Sequence, residues 1–153
     1  MATDPEETPA IDVFDRAILK ELSHDGRLSW RELGLRVGLG PTATADRVRR
    51  MERTKVISGY KARIDYGALG IGLRAIAELR LAPETNYQLF EATLYDTPEV
   101  QAMYHVTGDV DYVILLACPD VASLDRLLGS WRDKGGAIES STRIILREVD
   151  LYD

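Results

Sequence analysis

The chain has 153 residues, of which 45% are hydrophobic and 29% are charged. This composition is typical of a globular protein with one ordinary domain or two small ones. No apolar run approaches the roughly 20 residues of a membrane span, and the acidic residues 1–10 lack the apolar segment of a secretory signal. The single cysteine, Cys118, excludes an intrachain disulfide and a multi-cysteine metal site. We therefore expect a cytoplasmic protein with a disordered tail over residues 1–10.

The net charge of −6 is unevenly distributed along the chain. Residues 11–63 carry twelve Lys and Arg against seven Asp and Glu, whereas residues 64–153 carry seven against fifteen. A basic N-terminal third beside an acidic remainder indicates one module that binds a polyanion and a second module with another task. Chance clustering of surface charge is the alternative.

Two helices are predicted before residue 38. Asp12 can cap the first, whose apolar residues recur at helical spacing until the chain reaches residues 24–26. Ser29 and Glu32 have the spacing of a capping box at the start of the second, and Gly38 is a typical helix-ending glycine. A third helix follows after a very short turn, so the three together match a helix-turn-helix.

The third helix, residues 41–53, is predicted to read DNA. Its apolar positions share one side, and the rest of its surface and edges carry small residues, Asp and Arg, with DNA contacts expected at Thr42, Ala43, Asp46, Arg47, Arg49 and Arg50. Arginine suits this role because its planar fork binds guanine edges and phosphates. Arg50 is the expected base reader, and Arg47 is either a phosphate clamp or an intradomain tie. Asp46 either accepts a bond from cytosine or orients an arginine. A solvated helix without DNA contacts is the alternative.

The period of the apolar pattern changes after the third helix. Short extended segments are expected from Val56 to Ile64, and a hinge at residues 66–70. The elements beyond the hinge follow the order β-α-β-β-α-β, with strands over 73–81, 100–106, 112–118 and 138–149 and helices over 87–95 and from 120. This order predicts an α+β protein whose C-terminal part is a ferredoxin-like antiparallel sheet with both helices on one face. The uncovered face predicts dimerisation.

Several motifs together resemble the Lrp/AsnC, or feast/famine, family of regulators. They are D-x5-I-L-x2-L-x2-D-G-R-x-S-x2-E-L from Asp12, G-L-x-P-x5-R-V-R-R-M-E from Gly38, V-I-x-G-Y from Val56, L-G at 69–70 and V-T-G-D-x-D-Y from Val106. The resemblance implies a winged-type helix-turn-helix domain over 11–56, a linker strand and hinge over 57–70, and a ligand-sensing and oligomerisation domain over 71–153. It also implies binding to double-stranded DNA, dimers that often form octamers, and a small effector, commonly an amino acid, without cofactor or metal.

The resemblance places an effector pocket in the C-terminal domain, at His105, Thr107, Gly108, Asp109, Asp111, Thr142 and Arg143. Gly108 can adopt a turn conformation that exposes backbone N–H groups, and the two aspartates can accept bonds from an α-ammonium group. The alternative is a tight turn in which Asp serves only turn chemistry. Arg143 can pair with an effector carboxylate or be a solvated strand residue.

The chain departs from the family pattern at two helix ends. Gly40 stands where a serine N-cap is usual, which is a small loss of capping strength. Lys55 stands where glycine is frequent, so it must end the third helix without the residue that favours a left-handed conformation. Lys55 also adds a cation where the chain can pass a phosphate.

Two other functions remain to be weighed. Some proteins that resemble this family are tetrapyrrole decarboxylases, but the chain has Ile64-Asp65-Tyr66 where those enzymes tend to have an Asn-His pair, and its only histidines are His24 and His105. A nucleophile with its base and a phosphate-binding glycine loop are also missing, so we predict no enzyme. A stand-alone effector sensor is the other possibility, and the basic N-terminal module argues against it.

Overall fold

The computed structural model describes residues 10–147 and residue 149. The predicted tail therefore lies, apart from Ala10, outside the described residues. The chain divides into two compact units, and the boundary between them falls between Arg63 and Ile64. None of the described helices is both long and apolar enough to cross a lipid bilayer.

Three helices form the N-terminal unit: α1 (Val13–His24), α2 (Trp30–Val37) and α3 (Pro41–Arg53). Ile18, Leu33, Val48 and Met51 are fully buried and form one apolar core with residues from all three helices. The apolar side predicted for α3 is confirmed, because Ala45 is also buried beside Val48 and Met51. Thr44 is buried as well, and the side of α3 that carries Thr42, Ala43, Asp46 and Arg49 is exposed.

The predicted helix ends are confirmed. The side chain of Asp12 accepts a hydrogen bond from the Asp15 N–H at 2.9 Å, and Ser29 and Glu32 form the capping box of α2. Gly38 is left-handed, with φ of 75°. Lys55 has φ of 60° and is the one non-glycine residue with positive φ among residues 10–147. A side chain in this conformation costs about 1–2 kcal/mol, which is the strain expected from the absence of a glycine at this helix end.

The C-terminal unit is the predicted ferredoxin-like fold. Its elements are β1 (Leu73–Leu81), α4 (Tyr87–Tyr95), β2 (Val100–His105), β3 (Tyr112–Cys118), α5 (Val121–Asp133) and β4 (Ala137–Ile144). The strands are antiparallel in the order β2-β3-β1-β4. Alternate residues of β1 and β3 share one core with Phe90 and Leu94 of α4 and with Leu124 and Trp131 of α5, so both helices cover the same face.

The opposite face of the sheet is only partly covered within one chain. Ile76 of β1 and its partner Leu115 of β3 are half-buried, as is Val113. Tyr104, which pairs with Val113, is 60% exposed. This face is therefore open, as the strand pattern predicted, but it is only partly apolar, because Glu78 and Arg143 lie on it beside Ile76.

The structure differs from expectation at the linker, at the last strand and at the end of β2. Residues 57–70 contain no strand, because extended backbone becomes a strand only beside a pairing partner and this single chain supplies none there. The turn at Tyr66–Gly70 is held within the C-terminal unit, since the Tyr66 hydroxyl bonds to Gln101 and its ring lies 5.7 Å from the Arg74 guanidinium carbon. β4 ends at Ile144 because its partner β1 begins nearby. β2 ends one residue early, at His105.

Candidate nucleic-acid interface and effector site

The exposed side of α3 brings together four of the six residues predicted to contact DNA. Thr42, Ala43, Asp46 and Arg49 are exposed. Arg49 Nη1 lies 3.7 Å from Asp46 Oδ1, and both side chains are about two-thirds exposed, at 66% and 68%. Pairing at this distance between solvated groups is weak. The Arg49 guanidinium can therefore leave Asp46 and bind an acceptor atom of a base in a DNA groove.

The other two predicted residues, Arg47 and Arg50, bind to the start of α1. Arg47 Nη1 donates to Asp12 Oδ2 at 2.6 Å and to Asp15 Oδ1 at 2.9 Å. Arg50 Nη2 donates to Asp15 Oδ2. This arrangement agrees with the intradomain tie considered for Arg47, and it disfavours the base-reading role expected for Arg50.

Asp15 carries this network and is fully buried. The N–H of Asp15 and the guanidinium of Arg47 hold the pKa of the Asp12 carboxyl below its usual value. Hydrogen bonds to Asp12 and Asp15 raise the pKa of Arg47, whose guanidinium carbon also lies 5.5 Å from the Phe14 ring centroid. Sequence reasoning assigned Asp15 only helix-end charge. Asp15 stands three residues after Asp12, which is the spacing of a capping box. This spacing is the sequence signal that the Asp15 carboxylate also accepts a hydrogen bond from the Asp12 N–H.

The predicted effector turn is present, but one of its aspartates has a structural role. Gly108 has φ of 118°, and the Val106 N–H donates to the Asp111 carbonyl at 2.9 Å. Asp111 Oδ2 accepts a hydrogen bond from the N–H of Leu81 at 2.7 Å, so it provides the acceptor for this backbone donor at the end of β1. Thr107 and Asp109 are exposed on the same turn.

The structure does not gather all predicted effector residues into one pocket. The His105 ring stacks on Tyr112, with ring centroids 4.8 Å apart, and on Tyr87, at 5.4 Å. Tyr112 is buried in the core beneath the helices and donates to Glu91 at 2.7 Å; burial and Glu91 raise the pKa of its phenol. Thr142 pairs with Ala77, a residue of that same core. His105 and Thr142 therefore lie on the helix side of the sheet.

Arg143 lies on the open face, beside a groove of about 360 Å³. Glu78, Val110, Glu139, Ser140 and Ser141 line this groove. Arg143 Nη1 lies 2.6 Å from Glu78 Oε1, and Arg80 Nη1 lies 3.1 Å from Glu139 Oε2. The groove thus combines the carboxylates of Glu78 and Glu139 and the hydroxyl of Ser141 with guanidinium groups at their side, whereas Ser140 pairs with the core residue Leu79. Sequence reasoning missed Glu78 and Glu139, although strand alternation places Glu78 opposite the buried residues of β1.

In residues 10–147 no group of three or more His, Cys, Asp or Glu is placed to hold a metal ion.

Comparison with known proteins follows the same division. A model of the AsnC-type helix-turn-helix domain matches residues 11–52, and one of the Lrp/AsnC ligand-binding domain matches residues 74–152. The Bkd operon transcriptional regulator of Pseudomonas aeruginosa is 38% identical over 77% of this chain and 78% of its own. The leucine-responsive regulatory protein of Escherichia coli K12 is 36% identical over 91% of this chain and 87% of its own.

Solved structures are similar over nearly the whole chain. LrpC of Bacillus subtilis has a TM-score of 0.83 at 26% identity and covers 93% of this chain and 99% of its own. A feast or famine regulatory protein of M. tuberculosis, solved in complex with L-methionine, has a TM-score of 0.82 at 34% identity and covers 91% and 94%. With both domain models matched in order, and with relatives of this identity and coverage, the chain belongs to the Lrp/AsnC family of DNA-binding transcriptional regulators.

Proposed function

We propose that this protein regulates transcription by placing α3 in the major groove of a specific operator, under the control of a small effector. The observation that carries the proposal is the exposed Asp46–Arg49 side of α3 in a basic helix-turn-helix unit. Family membership supports it. The family consists of transcriptional regulators, and we propose no catalytic activity for this chain.

Three exposed residues of α3 have chemical counterparts in the major groove. The Arg49 fork fits O6 and N7 of guanine, the Thr42 hydroxyl can bond to a base or a phosphate, and the Ala43 methyl suits the methyl group of thymine. Asp46 lies where it can orient Arg49. Lys55, at the end of α3, adds a cation for a phosphate.

We also propose that the protein binds DNA as a dimer and assembles further to an octamer. One reading helix covers only a few base pairs, so paired half-sites need two copies. The open sheet face, with half-exposed apolar residues around Ile76 and Leu115, is the surface proposed for pairing. The octamer is proposed on the family resemblance.

Operator binding is expected to be both sequence-specific and steeply dependent on salt. An operator is first selected with the full-length protein from a random duplex library, and its affinity is then compared with that of a scrambled duplex by gel shift. Specific binding is expected to exceed scrambled binding by about 10³-fold or more. Both affinities should fall as salt rises, because phosphate contacts release counterions. Equal affinity for the two duplexes at every salt concentration would refute the proposed function.

We propose an amino acid as the effector and the groove on the open face as part of its site. The α-ammonium group of the ligand would replace the arginine that pairs with Glu78 or with Glu139. The α-carboxylate would then bind the arginine so released, Arg143 or Arg80. A zwitterionic amino acid that opens one of these ion pairs thus provides a new partner of opposite charge for both the glutamate and the arginine. A similar protein of M. tuberculosis was solved with L-methionine, which supports this ligand class. Thr107, Gly108 and Asp109, on the turn next to Val110, complete the proposed site.

Glu78→Gln is expected to weaken amino-acid binding about tenfold to a hundredfold. The reason is that a hydrogen bond to a charged group is worth about 1.5–3 kcal/mol. Isothermal titration with the twenty amino acids identifies the ligand, and repeating it on the variant measures the loss. Glu84→Gln, which changes an exposed glutamate outside the groove lining, is the matched control. An unchanged affinity in Glu78→Gln would remove the groove from the effector site.

A further inference from the structure

We infer that Asp15 is a positioning residue, which fixes the rotation of α3 about its own axis through Arg47 and Arg50. This inference rests on the proposed reading of DNA by α3. It assigns Arg50 to the carboxylate of α1 and leaves Arg49 to the bases.

The burial of Asp15 is the first argument. A fully buried carboxylate is strongly unfavourable unless hydrogen bonds and opposite charge replace its hydration. Asp15 has both: its Oδ2 accepts from the Asp12 N–H at 3.1 Å and from Arg50, and its Oδ1 accepts from Arg47 at 2.9 Å. The positive end of α1 adds to this stabilisation. The carboxylate therefore has a defined set of partners, unlike a solvated surface acid.

The spacing of the two arginines is the second argument. Residues three apart on a helix lie on one side, about one turn from each other. Arg47 and Arg50 therefore hold α3 to a single carboxylate at two levels, and turning the helix would break one of the two bonds. The apolar contacts of Val48 and Met51 are not directional, whereas guanidinium–carboxylate bonds are. The direction in which Thr42, Asp46 and Arg49 face is thus set by Asp15.

This positioning role predicts a loss of discrimination rather than a loss of general DNA affinity. In Asp15→Asn the affinity for the selected operator is expected to fall about tenfold or more, while the affinity for the scrambled duplex changes by less than about twofold. Arg50→Met should show the same pattern with an unchanged salt slope, because Arg50 makes no phosphate contact. The double variant should be no weaker than Asp15→Asn alone, since the Asp15–Arg50 bond that Arg50→Met removes is already lost in Asp15→Asn.

The measurements are gel shifts at several salt concentrations, with far-UV circular dichroism confirming that each variant is folded. Additive losses in the double variant, or a lower salt slope in Arg50→Met, would show that Arg50 contacts DNA and would overturn the inference. Equal losses on both duplexes would do the same.

Arg50→Lys provides a test if Asp15→Asn does not fold. It keeps the charge but lacks the planar fork, so operator affinity should fall while scrambled binding and the salt slope remain. An operator affinity equal to that of the wild type would contradict the inference. Failure of the proposed function itself is distinguishable, because the wild-type protein would then select no operator.

Discussion

Replacing Gly34 with alanine is expected to destabilise the helix-turn-helix unit by about 1–3 kcal/mol. Gly34 is buried in α2, and a Cβ atom there would lie 2.6 Å from the carbonyl oxygen of Leu39 and 3.0 Å from Thr44 Oγ1. The carbonyl oxygen belongs to the backbone of the tight turn, which the Leu39 N–H fixes by donating to the Gly34 carbonyl at 2.8 Å. Relief of the clash must therefore move α2 away from the turn that leads into α3.

Helix propensity alone predicts the opposite sign, which makes the experiment decisive. Alanine in a helix interior is favoured over glycine by about 0.8–1 kcal/mol. Gly129 in α5 is the matched control, because a Cβ built there meets no atom within 4 Å beyond its chain neighbours and the nearby backbone of its own helix. Gly129→Ala should therefore stabilise its unit. Hydrogen exchange of peptides from α2 and α5 measures each change in place. Protection of α2 that is equal or greater in Gly34→Ala would contradict the close approach.

The elements that local chemistry determines were predictable from the sequence. Asp12, Ser29 and Gly38 mark helix ends because capping depends on residues within four positions of each other. The strands of the C-terminal unit were visible from alternation in β1 and from the apolar run of β3. The element order and the charge distribution also indicated two domains, and the family motifs added the functions expected of each.

The roles of Asp15 and Arg50 depend on contacts that local pattern does not contain. These residues are 35 positions apart and meet only because α1 packs beside α3. A helical projection of α3 places Arg50 on its outer side, but it cannot show that a neighbouring helix presents a carboxylate there. The predicted effector residues lie on two sides of the sheet for a simpler reason. Thr142 and Arg143 are consecutive in β4, so they must face opposite sides of the sheet.

Replacing Arg49 with alanine is expected to weaken operator binding by about 1–3 kcal/mol and to relax specificity at one base pair of each half-site. Arg49 is the exposed arginine of α3 whose partner, Asp46, is itself solvated at 68% exposure. Selection from the random duplex library, repeated with the variant, shows which base pair loses its preference. Arg126→Ala removes an exposed arginine of equal charge from α5 and should leave the preference intact. A preference unchanged in Arg49→Ala would mean that Arg49 reads no base.

Asp46→Asn then separates the two roles considered for this carboxylate. If Asp46 orients Arg49 from 3.7 Å, the substitution weakens operator binding in the wild-type background and has no further effect in Arg49→Ala. If Asp46 instead accepts a bond from cytosine N4, the loss persists in both backgrounds and maps to a different base pair. We expect the first result, because Asp46 and Arg49 are about one turn apart on the helix. Among the ion pairs described for α3, the Arg49 guanidinium also has no other carboxylate partner.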